Sequence, residues 1–340
     1  MPNIINPFDD AGFDLVTMTK GIEVIPNTYG RINQLGLFRN EGVTQRTVIF
    51  DEQDGVLNLL QTQAWGAPAA VNKRGGKRTR SFAIPHIPLD DRIVPSDFQG
   101  VRSFGSTDMT ETLSSTMGRV LGSMRGKHAI TLEHLRIGAV KGVILDADAS
   151  TIYNLFTEYG ISQKTVSFAL ATDATKINKK CQEVIRYIED NLKGEVMTGV
   201  HCLCDSTFFD DLIDHPEVEK FYIQHAAALN LVGGAGDPRK GFTFGGITFE
   251  EYRGTATDAA GNARAFIGAG IAHFFPVGTR DTFVNYFAPA DYLETVNTVG
   301  RELYAKQTMD PAGRWVDVYT QSNPLPICRR PALLVKGTLA

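Results

Sequence analysis

Between Asp54 and Asp90 the chain carries no acidic residue, while Lys73, Arg74, Lys77, Arg78 and Arg80 crowd around Gly75 and Gly76. The β-prone runs Thr47–Phe50 and Val56–Leu60 precede this stretch and SFAIPHIPLDDRI follows it, so the segment reads as a long hairpin with a basic tip. A two-stranded hairpin is marginally stable in water by itself, so one this long needs something else to lie on. Three readings stay open at this point: a solvated loop, a nucleic-acid contact, or a contact with an acidic neighbouring subunit.

Composition narrows the choice. With 34 Lys and Arg against 38 Asp and Glu the net charge is −4, which gives no global argument for a nucleic-acid binder. Apolar residues make up 43% and charged residues 21% of 340 residues, the mix of an ordinary globular protein with about two domains. Four cysteines (181, 202, 204 and 328) are too few for a disulfide scaffold and fit a reducing compartment. The longest uncharged apolar stretch, Ala265–Thr279, has 15 residues with three glycines, a proline and a histidine, short of the ~20 that a spanning helix needs. The acidic opening MPNIINPFDDAGFD lacks the basic flank and apolar run of a signal peptide. A soluble protein made in the cytoplasm, with no membrane partner, is expected.

Before the hairpin, residues 1–45 are interrupted by Pro7, Gly12, Gly21, Pro26, Gly30 and Gly36 and read as an arm, in which only Asp14–Thr19 and Gln34–Phe38 form short elements. After it, Asp108 and Glu111 resemble a capping box, and Leu113, Met117, Val120 and Met124 recur on one helical face. The pattern resumes through Leu132, Leu135 and Ala139. Val143–Leu145 and Thr151–Phe156 flank an Asp-Ala-Asp-Ala turn and predict a hairpin. Lys176–Lys193 is the clearest helix, with Ile177, Cys181, Val184 and Ile188 as its stripe, Asp173 as the expected cap and Gly194 as the stop. Short strands at Val200–Cys204, Gly241–Phe244, Ile247–Tyr252, Ala263–Gly268 and Thr282–Phe287, with helices at Phe208–Ile213 and Val218–Leu229, predict an α+β fold rather than a repeated βαβ sheet.

The chemical lures fail on spacing. Cys202 and Cys204 share one side of a strand and His201 faces the other, so with His215 they do not make four convergent ligands. Asp146-Ala-Asp148 opens like a calcium loop, yet its sixth position is Thr151 and its twelfth is Thr157. Gly233-Gly234-Ala235-Gly236 has Arg239 where a dinucleotide loop needs its third glycine, and Gly75-Gly76-Lys77 is followed by Arg78 where a phosphate loop needs Ser or Thr. No catalytic, cofactor-binding or metal residues are assigned and no cofactor is expected. Gly118, Gly122 and Gly126 repeat every fourth residue beside Arg119, Arg125 and Lys127; each costs a helix about 1 kcal/mol relative to Ala, which asks for close packing or deliberate softness.

The C-terminal third carries FVNYFAPADYLETVNTVGRELYAKQ and then WVDVYTQSNPLPICRRPALLV. With the G-x-ILDAD hairpin and FTEYG in the middle, these strings resemble the major capsid proteins of lambda-like tailed phages, the major capsid protein E family, over nearly the whole chain. The resemblance implies the α+β Hong Kong 97-type capsid fold: an N-terminal arm (1–45), an extended β-hairpin loop (46–95), a peripheral domain with a spine helix (96–172, to which later strands return), and a mainly axial domain with the C-terminal strands (173–340). It implies no enzyme but the structural subunit of an icosahedral phage or prophage head around double-stranded DNA. Its partners would be other copies in hexamers and pentamers, with scaffolding or maturation protease, portal and decoration proteins. It would reside in the virion capsid, and in the host cytoplasm during assembly. On that reading Lys73, Arg74, Lys77, Arg78 and Arg80 make intersubunit contacts, and Gly118, Gly122 and Gly126 give the spine helix flexibility as the shell expands. The alternatives are an encapsulin-like cellular compartment shell and an α+β enzyme with a site assembled from scattered residues.

Overall fold

In the computed structural model, which describes residues 18–19, 22, 30–53, 77–97, 113–231, 239–258 and 260–340, a one-turn helix α1 (Arg31–Gln34) leads into four strands. These are β1 (Arg39–Gly42), β2 (Thr47–Gln53), β3 (Lys77–Ala83) and β4 (Ile87–Ile93). The 29-residue helix α2 (Leu113–Lys141) follows, then β5 (Val143–Leu145), β6 (Thr151–Asn154), α3 (Leu155–Tyr159) and β7 (Lys164–Ser167). Next come α4 (Ile177–Asn191), β8 (Gly199–Cys204), α5 (Ser206–Asp214), α6 (Glu219–Leu231), β9 (Lys240–Phe244) and β10 (Ile247–Glu251). The chain closes with β11 (Thr255–Thr257), β12 (Ala263–Ala265), β13 (Ile271–Val277), β14 (Phe283–Phe287), β15 (Tyr304–Met309), β16 (Val316–Ser322), β17 (Pro324–Cys328) and β18 (Val335–Thr338).

The central sheet runs β7-β18-β13-β8-β10-β9, with β7–β18 and β8–β10 parallel and the other pairs antiparallel. Both of its faces are covered, so its strands are apolar on both sides. Strand alternation splits neighbours between two cores: on β8, Cys202 and Cys204 join α4 and α5, while Leu203 joins the other face. On β13, Phe274 and Phe275 divide in the same way. The second core holds the C-terminal half of α2 and the three-stranded sheet β1-β14-β17. The N-terminal half of α2 uses Met117, Leu121 and Met124 to pack on a third sheet, β15-β16-β4, through Ile93, Ala305 and Val318. One helix of about 43 Å therefore spans two cores.

Several local expectations need correction. The stretch Gln34–Phe38 is not an element: α1 ends at Gln34, Gly36 turns with φ +59°, and the strand starts at Arg39. The strand expected to reach Phe156 stops at Asn154, whose side chain accepts from Phe156 N and Thr157 N and starts α3. Asp173 does not cap α4; Glu217 does, its Oε2 accepting from Ile177 N at 2.8 Å. Ile247–Tyr252 ends one residue early at Glu251, and Ala263–Gly268 shortens to Ala263–Ala265. From Arg31 onward the stretch read as an arm is built into the body, with Ile32 buried and β1 paired in parallel with β14. The expected strand Val56–Leu60, the Asp108–Glu111 cap and the 233–236 glycine run lie outside the described residues.

Candidate assembly site

The root of the basic hairpin is a separate two-stranded sheet, β2 with β3, in the register Thr47↔Ala83 to Gln53↔Lys77. Its inward side is fastened by aromatic packing. Phe82 stacks on Phe50 at 5.3 Å and meets the Tyr153 ring edge-on at 5.2 Å, and the Tyr153 hydroxyl bonds both polar groups of the Ala83 backbone. On the outward side Ile49 is 61% exposed. Of the five cations singled out in the sequence, Lys73 and Arg74 lie outside the described residues. Lys77 begins β3, and Arg78 is exposed. Arg80 instead turns back into its own chain, with its guanidinium 4.2 Å over the Tyr159 ring and donating to the Glu158 carbonyl. The hairpin root thus carries both an internal anchor, Arg80, and an exposed cation, Arg78, which charge counting could not separate.

Gly118, Gly122 and Gly126 lie along α2 where an added Cβ meets nothing within 4 Å. Close packing against the described residues is therefore not their role, which favours helix softness or packing by another copy. Gly118→Ala with Gly122→Ala should stabilise the subunit by about 1 kcal/mol per site, read as a higher melting temperature. A lower melting temperature would show that the helix cannot accept those methyl groups.

Where the arm enters the body, a buried polar clasp ties α1 to both α2 and the central sheet. Arg31 grips Glu250 with two bonds, Nε to Oε1 at 2.6 Å and Nη2 to Oε2 at 3.1 Å, and His201 Nε2 lies 3.2 Å from the same Oε2. Burial pushes the Glu250 carboxyl up, but the bonds from His201 and Arg31 together hold it below the ordinary carboxylate range. From the helix side, Glu133 Oε1 accepts from Ile32 N at 2.9 Å, and Arg136 donates to Asn33 Oδ1 at 3.0 Å. Burial raises the Glu133 carboxyl above its usual range. The clasp was missed in the sequence because its members lie up to 219 residues apart.

Further along α2, His128 is buried against Thr320 of β16 (2.9 Å), and burial lowers its imidazole to about 4. The unfolded chain then binds a proton near pH 6.5 that the folded chain refuses, so stability falls as pH drops from about 6.5 to about 4. That loss is about 3 kcal/mol for this residue. Glu133 acts with the opposite sign, since acid relieves its burial. His128→Gln should flatten the loss of melting temperature across this window; an unchanged slope would assign the acid sensitivity elsewhere.

The thiols are packing groups. Cys202 and Cys204 face the first core, where burial pushes Cys202 well up, and His201 is turned to Glu250 on the other face. His215 is spent between the Thr172 carbonyl and Glu217 N. Among the described residues no three His, Cys, Asp or Glu side chains converge as metal ligands, and no helix is long and apolar enough to cross a membrane.

Residues 14–339 match the family model of phage major capsid protein E. The chain belongs to that family. It is 33% identical over 342 residues to the major capsid protein of Pseudomonas phage KPP10, covering 96% of this chain and 97% of that one. To the major capsid protein of Salmonella phage Felix O1 it is 29% identical, covering 96% of each. Among solved structures, one described as the capsid protein of a prophage of E. coli CFT073 superposes with a TM-score of 0.62 at 12% identity, over 96% of this chain and 99% of that one. The capsid of Ralstonia phage GP4 superposes at 0.51 and 12% identity, over 88% and 87%. The fold is therefore the α+β capsid fold of the Hong Kong 97 type. The protein is a tailed-phage major capsid protein, a structural subunit that assembles with copies of itself, and the cellular-compartment and enzyme readings are not favoured.

Proposed function

We propose that this chain builds an icosahedral head through hexamers and pentamers and encloses double-stranded DNA without sequence-specific binding. The observation that carries the reading is the hairpin. Its two-stranded root packs on its inward side through Phe82, leaves Ile49 exposed on the other, and leads into the basic stretch of the sequence, which in this reading finds its partner surface on a neighbouring copy. In this reading the arm is the stretch before Arg31, 46–95 the extended loop, 96–172 the peripheral domain with α2 as its spine, and 173–340 mainly the axial domain. Lys73, Arg74, Lys77 and Arg78 contact neighbouring copies, while Arg80 fixes the hairpin root. Gly118, Gly122 and Gly126 let the spine bend. A net charge of −4 suits an inner face that holds DNA loosely. The chain catalyses no reaction and assembles in the host cytoplasm, where scaffolding, protease, portal and decoration proteins meet it.

Electron microscopy and light scattering of the purified protein should show capsomers, sheets or shells. A compact monomer across a wide concentration range would overturn the reading. Lys77→Glu with Arg78→Glu should block assembly and leave the subunit folded. Normal assembly with lost nucleic-acid binding would instead make the hairpin a nucleic-acid arm.

A further inference from the structure

Three of the nine large apolar side chains exposed among the described residues fall within seven positions, Leu293 (93% exposed), Val296 and Val299. They sit on the loop between β14 and β15, which is rigidly held. Asn323 Nδ2 donates to Pro289 O at 2.8 Å, Asp291 N to Gln321 Oε1 at 2.8 Å, Thr295 Oγ1 to Ala290 O at 2.6 Å, and Gly300 N to Val43 O at 2.9 Å. A loop fastened at so many points cannot fold its apolar groups away. Beside this knob lies a cleft of 460 Å³ whose walls include Thr19, Thr298, Val299, Arg301 and Tyr304. The knob is flanked by two ion pairs, the exposed Arg46–Asp291 and the half-buried Lys306–Glu294, each at 2.5 Å.

We propose that this knob is an assembly contact covered by a second copy of the same chain, Leu293 seating in an apolar recess of its neighbour. The inference rests on the shell reading above and adds the surface through which copies meet. The flanking charges select the partner. Each flanking cation is already paired with an anion of the same subunit, so the two pairs offer no excess of cations to a polyanion and none of one sign to a strongly charged protein. A neutral rim whose charges are paired within the subunit sets no charge repulsion against a second copy bringing the same surface. A projecting knob beside a concave cleft on one surface is also the shape from which head-to-tail contacts between identical subunits are made. Large apolar side chains held in water on a rigid element mark contact surfaces rather than ordinary exterior.

The four native cysteines are buried, so Leu293→Cys supplies one exposed thiol. Its reaction with a maleimide is compared with that of glutathione, in shells assembled from this chain alone. Protection of about tenfold or more in those shells is the expected result. A thiol that reacts there as fast as glutathione overturns the proposal, and so does protection that appears only in complete virions, which would give the knob to another virion protein. Should Leu293→Cys disturb folding, Val299→Cys carries the same measurement. Leu293→Asp with Val296→Asp should leave the melting temperature of the subunit unchanged and abolish assembly; shells formed as readily as by the unsubstituted chain overturn the proposal. If the unsubstituted chain makes no shells at all, the shell reading itself fails, which is a different outcome from a freely reactive thiol on the knob of well-formed shells.

Discussion

Gly300→Ala should abolish folding or lower stability by more than about 4 kcal/mol, the range reached when something irremovable is in the way. A Cβ at this position would lie 1.9 Å from the Phe287 carbonyl oxygen and 2.5 Å from its carbon. Both are backbone atoms, so no rotamer change can clear them. Phe287 ends β14, the central strand of β1-β14-β17, and Val284 and Tyr286 of that strand lie in the second core. Relief would therefore have to move a buried strand. Gly42 closes the same contact from the other side, its added Cβ meeting the Gly300 oxygen at 2.3 Å. Gly36 is the control: it has φ +59° with nothing within 4 Å, so Gly36→Ala should cost only the ~1–2 kcal/mol of a left-handed backbone. Denaturant melts of Gly300→Ala, Gly36→Ala and Gly122→Ala should rank from severe loss through mild loss to gain. A Gly300→Ala protein within about 1 kcal/mol of the unsubstituted one would show that the 287–300 crossing is looser than its geometry.

Gly300 also shows what kind of information the sequence carried. The Asn297–Gly300 string was recognisable as a family signature, yet nothing in it says why glycine stands there. The reason is an approach between β14 and a loop 13 residues later, with Asn297 at φ +59° turning the chain toward it. Elements whose signal is local were legible. The stripe Ile177, Cys181, Val184 and Ile188 is buried on one face of α4, and the pair Gly245–Gly246, both at positive φ, makes the β9–β10 turn. The alternation that separates His201 from Cys202 and Cys204 is borne out by their opposite faces. Long-range pairing was not legible. The pairing of β4 with β16 joins residues 87–93 to 316–322, and the parallel pairing of β1 with β14 draws part of the supposed arm into a sheet. Neither partner's composition encodes the other. The same limit applied to the hairpin cations: Arg78 and Arg80 are equivalent in sequence, and only the Tyr159 ring makes one of them an anchor.

The clasp at the arm's entry leads to the second large effect, because it places a charge where it is expensive to leave alone. Glu250 is 1% exposed, and the permanent cation that pairs with it in the clasp is Arg31, whose side chain is 32% exposed. Arg31→Ala would leave the carboxylate with His201, a neighbour that supplies charge only when protonated. The cost should be roughly 3 kcal/mol, the lower end for a broken buried pair, since water at the Arg31 side already moderates the interaction. The sign of its pH dependence identifies the cause. Without Arg31, its hydrogen bond and charge no longer hold the Glu250 carboxyl down against burial, so the carboxyl titrates higher than in the unsubstituted protein. Arg31 stabilises only the ionised carboxylate, so the deficit of the variant should be largest at pH 8, where Glu250 is charged, and shrink in acid as the carboxyl protonates. Arg31→Ala combined with Glu250→Gln should then lose less than the sum of the two single changes, because the second substitution removes the charge that the first one strands. Equal losses at pH 8 and in acid, with additive singles, would mean that α1 is held by the packing of Ile32 and the bonds of Glu133 and Arg136, and that the Arg31–Glu250 pair contributes little. If the pH signature appears, the arm is fastened to the sheet by charge and to α2 by hydrogen bonds. Any motion of α2 against the sheet must then pull on α1, which puts a mechanical joint of the subunit at residues 31–34.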